Sequence, residues 1–323
     1  MELVKPFSLG PLPWSDDVLV RAVYEDFRKA EAFVKEHPGY DINERLDSLR
    51  AVLRIFNKAA LGFASGLEQF FEQSRGGHLF RRNRRADLEA FEEQFRELLY
   101  VFSAAAMTLV DQSRTFSKNV PIDGYEGRVS GAFRSNPRHA FVQELRVDLI
   151  HVTLHQPGWQ LTSGRNEQPT AKFMLWPSQL IRVGNYRALA KQFVRENPNG
   201  IDLGLLVSEY AGQVQEFHAW LHAQVEASVG DQVRDYQRCH RRIKAVSARF
   251  MWNLILKQVL IGGNRDPYKF LDQYLTADEL ADVESLPSRS APQVDRIIAL
   301  VDELGACDDE LRATAYRAFG VAS

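Results

Sequence analysis

The sequence predicts a mainly α-helical fold: an antiparallel bundle of long helices, one small β-hairpin at about 159–177, and short C-terminal helices. Three observations lead there. Apolar residues recur at three- and four-residue spacing up to about residue 116 and again beyond 203, the helical period. These runs are separated by Pro-Gly, Gly-Gly and Asn-Pro-Asn-Gly, which are strong helix stops. Strand-like composition is confined to WQLTS and TAKFMLW, which flank the turn-rich GRNEQP.

Taken in order, Ser15 is a helix N-cap followed by Asp16 and Asp17, which favour the positive end of a helix dipole. This first helix is expected to run to about His37, with Val20, Tyr24, Phe27 and Phe33 on its apolar stripe. A second starts near Asp41–Asn43 and runs to about Ser74 on the stripe Leu46, Leu49, Leu53, Phe56, Ala60, Phe63, Leu67 and Phe70. Gly62 and Gly66, four apart, mark a close helix–helix contact. A third, from about Arg85 to Phe116, carries Leu88, Phe91, Phe95, Leu98, Phe102, Ala105 and Leu109.

Residues 117–137 read as a long Gly- and Ser-containing loop. A helix over about 138–156 follows, stopped by Pro157 and Gly158, and then the hairpin. Ser178 is expected to cap a helix to about 196, and Asp202 to cap a long one. That one carries Leu205, Leu206, Tyr210, Val214, Phe217 and Leu221 and continues past Gly230 to Gly262-Gly263. DPYKFLDQYL, PQVDRIIALVDELG and DDELRATAYRAFG read as short helices, with SLPSRSAP as a linker. Two domains are expected: a bundle with hairpin insertion over 1–262 and a small helical extension over 263–323.

Composition narrows the function classes. Hydrophobic residues make up 45% and charged residues 25%, as in a globular protein, and the net charge of -2 gives no global pull toward nucleic acid or anionic lipid. The apolar runs fall short of the roughly 18 residues a membrane span needs, and MELVKPFSLGPLPWSDD lacks the pattern of a signal peptide. Cys239 and Cys307, far apart, form neither a disulfide framework nor a zinc motif. A cytoplasmic protein with no membrane partner is expected. The densest basic run is Arg75, Arg81, Arg82, Arg84 and Arg85, which could grip a phosphate backbone; a solvated loop is the alternative.

The helix over 138–156 gathers the most chemistry. At about 100° per residue, Glu144, Asp148, His151 and His155 form one polar stripe, beside an apolar stripe of Phe141, Leu145, Leu149 and Val152. Arg146 lies about 140° round from His151. Three readings are open. The Arg and His could be a nuclease centre completed by a second protomer. His151 and His155 could pair with His218 and His222, each set i, i+4, as a metal site in a bundle core. The polar groups could simply pair with one another.

RVDLIH, Arg146 to His151, resembles the Arg-x(4–6)-His signature of the HEPN superfamily, helical-bundle domains of toxin ribonucleases, CRISPR-associated RNases and anti-phage abortive-infection systems. The stretch ELRVDLIHVTLHQPGW, then FMLWPSQL, then VQEFHAWL, is also similar to a pattern in bacterial helical proteins over about 138–222. The resemblance implies a metal-independent endoribonuclease without cofactor, acting at a homodimer interface, with an antitoxin or defence-system protein as possible partner. Arg146, His151 and Asp148 would be catalytic, with Glu144 and His155 in support and the arginine run on RNA. The family places Asn, Asp or His directly after the arginine; here Val147 holds that position and Asp148 follows it. The same resemblance admits a non-catalytic interaction or sensor module.

Overall fold

The computed structural model describes residues 10–151, 158–162, 170–180 and 183–321. It is mainly α-helical, with long helices and a small three-stranded antiparallel sheet. The chain divides into two compact units, one of Met1–Asp41 with Asp231–Ser323 and one of Ile42–Gly230. This division differs from the boundary expected at 262/263. The reason lies in which apolar faces meet: the segment after 263 shares a core with Leu256, and the first helix shares one with Tyr236, Cys239 and Ile243.

In the unit Ile42–Gly230 the organising pair is α2 (Pro38–Ser74) and α3 (Arg85–Asn119). Phe56 meets Phe102, Phe63 meets Phe95 and Phe70 meets Phe91, with ring centroids 5.4–5.5 Å apart. Rising numbers on one helix face falling numbers on the other, so the pair is antiparallel. Gly66 shows why the axes come close: a Cβ there would stand 2.9 Å from Leu98 Cδ1. The expected glycine contact is therefore present, together with most of the expected stripe.

The helix α5 (Pro137–His151) starts where Asn136 Oδ1 accepts the backbone N–H groups of Arg138 and His139, at 2.9 and 3.4 Å. It packs on α3 and on α6 (Ala188–Glu196). Strands β1 (Gly158–Thr162) and β2 (Thr170–Leu175) pair antiparallel, Trp159 opposite Phe173, as the hairpin expectation requires. A third strand, β3 (Ile201–Asp202), adds to β2. Phe173 anchors the sheet, its ring 3.8 Å from Phe95 and 4.7 Å from Phe70. Asp202 caps α7 (Leu203–Leu254), its Oδ1 accepting from the N–H groups of Gly204 and Leu205 at 3.0 and 3.1 Å.

Two expectations for this unit are corrected. Residues 117–137 are not all loop: α3 runs to Asn119, α4 spans Tyr125–Val129, and a π-helical turn covers Ser130–Arg134. Tyr125, Val129 and Phe133, four apart, bury one face of this segment, and that burial outweighs its glycines. Ser178 does not start a helix. It lies in a 3-10 turn (Pro177–Gln179), a second such turn follows at Val183–Asn185, and α6 begins after Arg187. Gly184 and Asn185 are poor helix formers.

In the other unit, Ser15 caps α1 (Asp16–Val34), accepting from Val18 N–H at 3.4 Å. The expected stripe fails at Tyr24, which is exposed, while Leu19, Ala22, Ala30 and Val34 are buried. Tyr24 lies about 140° round the helix from Leu19, off the buried face. Two residues on, the backbone of Asp26 leaves the helix (φ -166°, ψ 102°) and its side chain accepts Arg28 N–H at 3.1 Å, yet the buried positions keep one face across this kink. Beyond α7 the helix widens into a π-helical segment, Ile255–Ile261. A 3-10 turn (Pro267–Gln273) and three helices follow: α8 (Ala277–Glu284), α9 (Ala291–Val301) and α10 (Asp309–Phe319). They close over Leu256, Leu271, Val283, Val294 and Leu311. Among the described residues no helix is long and apolar enough to cross a membrane.

Candidate functional site

The helix α5 presents its polar residues in different environments. Phe141, Val142 and Leu145 are fully buried, and Phe141 stacks on Phe193 of α6 at 5.1 Å. Glu144 sits at the edge of this contact, where its carboxylate takes Arg187 Nε at 2.8 Å. Asp148 has no exposed surface, and its carboxylate accepts the hydroxyl of buried Tyr186. The structure thus splits the expected stripe: Glu144 is engaged by a surface arginine, whereas Asp148 is held inside.

Arg146 is half-buried, and its Nε is buried without a hydrogen-bond partner. Among the described residues no carboxylate pairs with it. His151 ends the helix. Its side chain, and the whole of His155, lie outside the described residues, so the spacing from Arg146 to the imidazoles is not defined. The arginine run follows a similar division. Arg75 pairs with Glu72 at 3.0 Å, Arg85 with Glu89 at 2.8 Å and Arg84 with Asp87. Arg81 and Arg82 are exposed and carry no ion pair among the described residues. Exposed pairs are worth about 0–1 kcal/mol each and yield readily to another anion. Phe80 lies against Trp159 with ring centroids 4.3 Å apart, so the arginine run sits beside the strand that follows α5.

Two buried histidines that the sequence reading either passed over or assigned to metal belong to the same unit. His139 Nδ1 meets the Tyr210 hydroxyl at 2.9 Å, and its Nε2 lies 2.9 Å from Gln143 Nε2. His218 Nε2 lies 3.5 Å from Ser113 Oγ, and its Nδ1 is buried without a partner among the described residues. Burial pushes both imidazoles down to about 4, with Arg114 and Arg187 adding to the effect at His139 and His222 at His218. They therefore stand neutral at physiological pH. A cavity of about 30 Å³ beside Ser113, His139 and His218 has the room of one water. His218 and His222 join no group of three metal-binding side chains among the described residues.

The one such group among the described residues is His37, Asp235 and Cys239, whose ligand atoms lie within 4.8 Å of one another. Its hydrogen bonds make it a corner lock. His37 Nδ1 accepts Gly39 N–H at 2.9 Å, so the neutral ring carries its proton on Nε2, which faces Asp235 Oδ2 at 3.2 Å. A cation at Nε2 would have to displace that proton. Burial raises the Cys239 thiol above its usual range, more than neighbouring Arg238 lowers it, so this cysteine is not an activated nucleophile.

Comparison with protein-family models, with curated proteins and with solved structures found no match.

Proposed function

We propose that the protein is a HEPN-like, metal-independent endoribonuclease of the cytoplasm, acting as a homodimer in a toxin or anti-phage defence setting. The observation that carries this reading is Arg146. A structural role predicts that a half-buried guanidinium is neutralised by a neighbouring carboxylate. Arg146 has none among the described residues, whereas Arg96, Arg138 and Arg242, which also bury an Nε, each have a carboxylate partner. A phosphate oxygen would supply the missing acceptor.

In this scheme the ribose 2′-hydroxyl attacks the adjacent phosphorus and the bond to the 5′-oxygen breaks. His151 carries the proton as base or acid, and Arg146 stabilises the charge that develops on the phosphoryl oxygens. The products are a 2′,3′-cyclic phosphate and a 5′-hydroxyl. Arg81 and Arg82 hold the strand, with Arg75, Arg84 and Arg85 exchanging carboxylate partners for phosphate. Asp148, buried under Tyr186, acts as a positioning residue for α5 and touches no substrate. Glu144 anchors α5 to Arg187.

The test is incubation of the purified chain with single-stranded and hairpin RNA in EDTA, with end-group analysis of the products. Cleavage that Arg146→Ala and His151→Ala each abolish, while both variants stay folded, supports the reading. Intact RNA under all conditions sinks it. The second reading, a non-catalytic interaction or sensor module, is favoured by Val147 and by the burial of Asp148. It predicts intact RNA and a fold that His151→Ala changes only in stability.

A further inference from the structure

We propose that the C-terminal core binds a small amphipathic anion, a carboxylate on an apolar body of on the order of ten non-hydrogen atoms. The proposal concerns a different site from α5 and does not depend on the ribonuclease reading.

A cavity of about 240 Å³ lies within the core around the end of α7 and the segment that follows, walled by Trp252, Leu256, Leu260, Phe270, Ile297 and Phe319. Its volume is that of roughly eight waters at about 30 Å³ each. Part of the wall is the π-helical segment Ile255–Ile261. A π turn inserts a residue into the helical repeat, and such turns occur frequently at functional sites. The cavity opens to solvent: Val259 and Tyr274, both in the wall, are 41% and 57% exposed.

Charge selects the ligand. Two charged residues line the cavity, Arg265 and Asp302. The Asp302 carboxylate already accepts the backbone N–H groups of Ala306 and Cys307, both at 2.8 Å. Arg265 is exposed and its guanidinium has no acceptor among the described residues. Its place is fixed by the backbone. Asn264 takes a left-handed conformation (φ 48°) and Arg265 N–H donates to Leu260 O at 2.9 Å, which turns the chain back over the π segment. Among the described residues, the apolar chamber has one arginine without an acceptor at its wall and a carboxylate already held by backbone N–H groups, which fits an apolar monoanion better than a neutral polar molecule.

Cys307 gives a local readout, because it lines the cavity and is partly exposed while the other cysteine, Cys239, is fully buried. The experiment measures the rate at which a maleimide alkylates Cys307 in the full chain as octanoate is added. Saturable protection by octanoate is expected, weaker protection by octan-1-ol, and an increase of roughly tenfold in the half-protecting octanoate concentration in Arg265→Ala. Arg265 is exposed, so this variant keeps the fold. No protection by octanoate overturns the proposal. So does protection that Arg265→Ala leaves unchanged, that octan-1-ol matches, or that is replaced by self-association of the chain through the cavity.

Discussion

Replacing Tyr186 with Phe removes one hydroxyl from the buried contact with Asp148 and changes nothing else in shape. Both residues are buried, and the carboxylate is fully enclosed. A hydrogen bond to a charged acceptor contributes about 1.5–3 kcal/mol, and its loss leaves that much less compensation for a carboxylate out of water. For a protein unit of this size, Tyr186→Phe should lower Tm by about 3–12 °C. The assay is urea unfolding of the wild type, Tyr186→Phe, Asp148→Asn and the double variant, read as a double-mutant cycle. A positive coupling energy is expected, with RNA cleavage per folded molecule changed little in each single variant. Refutation would be Asp148→Asn that unfolds like wild type, within about 0.5 kcal/mol, yet loses cleavage. That result would make Asp148 a reacting group and not a positioning one.

Three further outcomes follow from the same geometry. His139 and His218 are neutral in the folded protein down to about pH 4 but charge near the ordinary 6.5 when unfolded. The unfolded state therefore binds more protons in that window. Stability is complete above about pH 6.5 and falls as pH drops toward 4, by on the order of 3 kcal/mol per histidine, and His218→Gln should flatten the profile in urea titrations across pH 4–7. Phe95→Ala removes the ring that joins Phe63, Phe70 and Phe173, and should cost about 3–5 kcal/mol and loosen the hairpin, seen as faster amide exchange in β2. Gly39→Ala would press a Cβ into the backbone oxygen of Gln232, which cannot rotate away; a loss of about 1–3 kcal/mol in thermal unfolding is expected, and an unchanged Tm contradicts the packing described.

Much of the fold was legible because its signals are local. Period and stops located α2, α3 and α7, Asp202 and Ser15 announced their caps, and Gly62 with Gly66 marked the α2–α3 contact. The capping box of Thr276 and Glu279, which starts α8, is equally local. Tyr125, Val129 and Phe133 also stand at helical spacing, hidden by the glycines between them. Other features depend on partners far along the chain. Tyr186 reaches Asp148 across 38 positions and irregular turns, and the His37–Asp235 lock spans 198. Nor did composition distinguish Arg265, whose guanidinium has no acceptor among the described residues, from Arg75, Arg84 and Arg85, each tied to a carboxylate. A wheel over α5 sets Glu144 and Asp148 on one stripe, but a wheel does not say that Asp148 faces Tyr186 while Glu144 faces Arg187.

The measurement closest to the central claim is single-turnover cleavage of an end-labelled RNA in EDTA by wild type and Arg146→Ala at matched folded fraction. The account predicts a 2′,3′-cyclic phosphate product from wild type and a rate at least about a hundredfold lower from Arg146→Ala. Equal rates from the two proteins, or cleavage that EDTA abolishes, would contradict it.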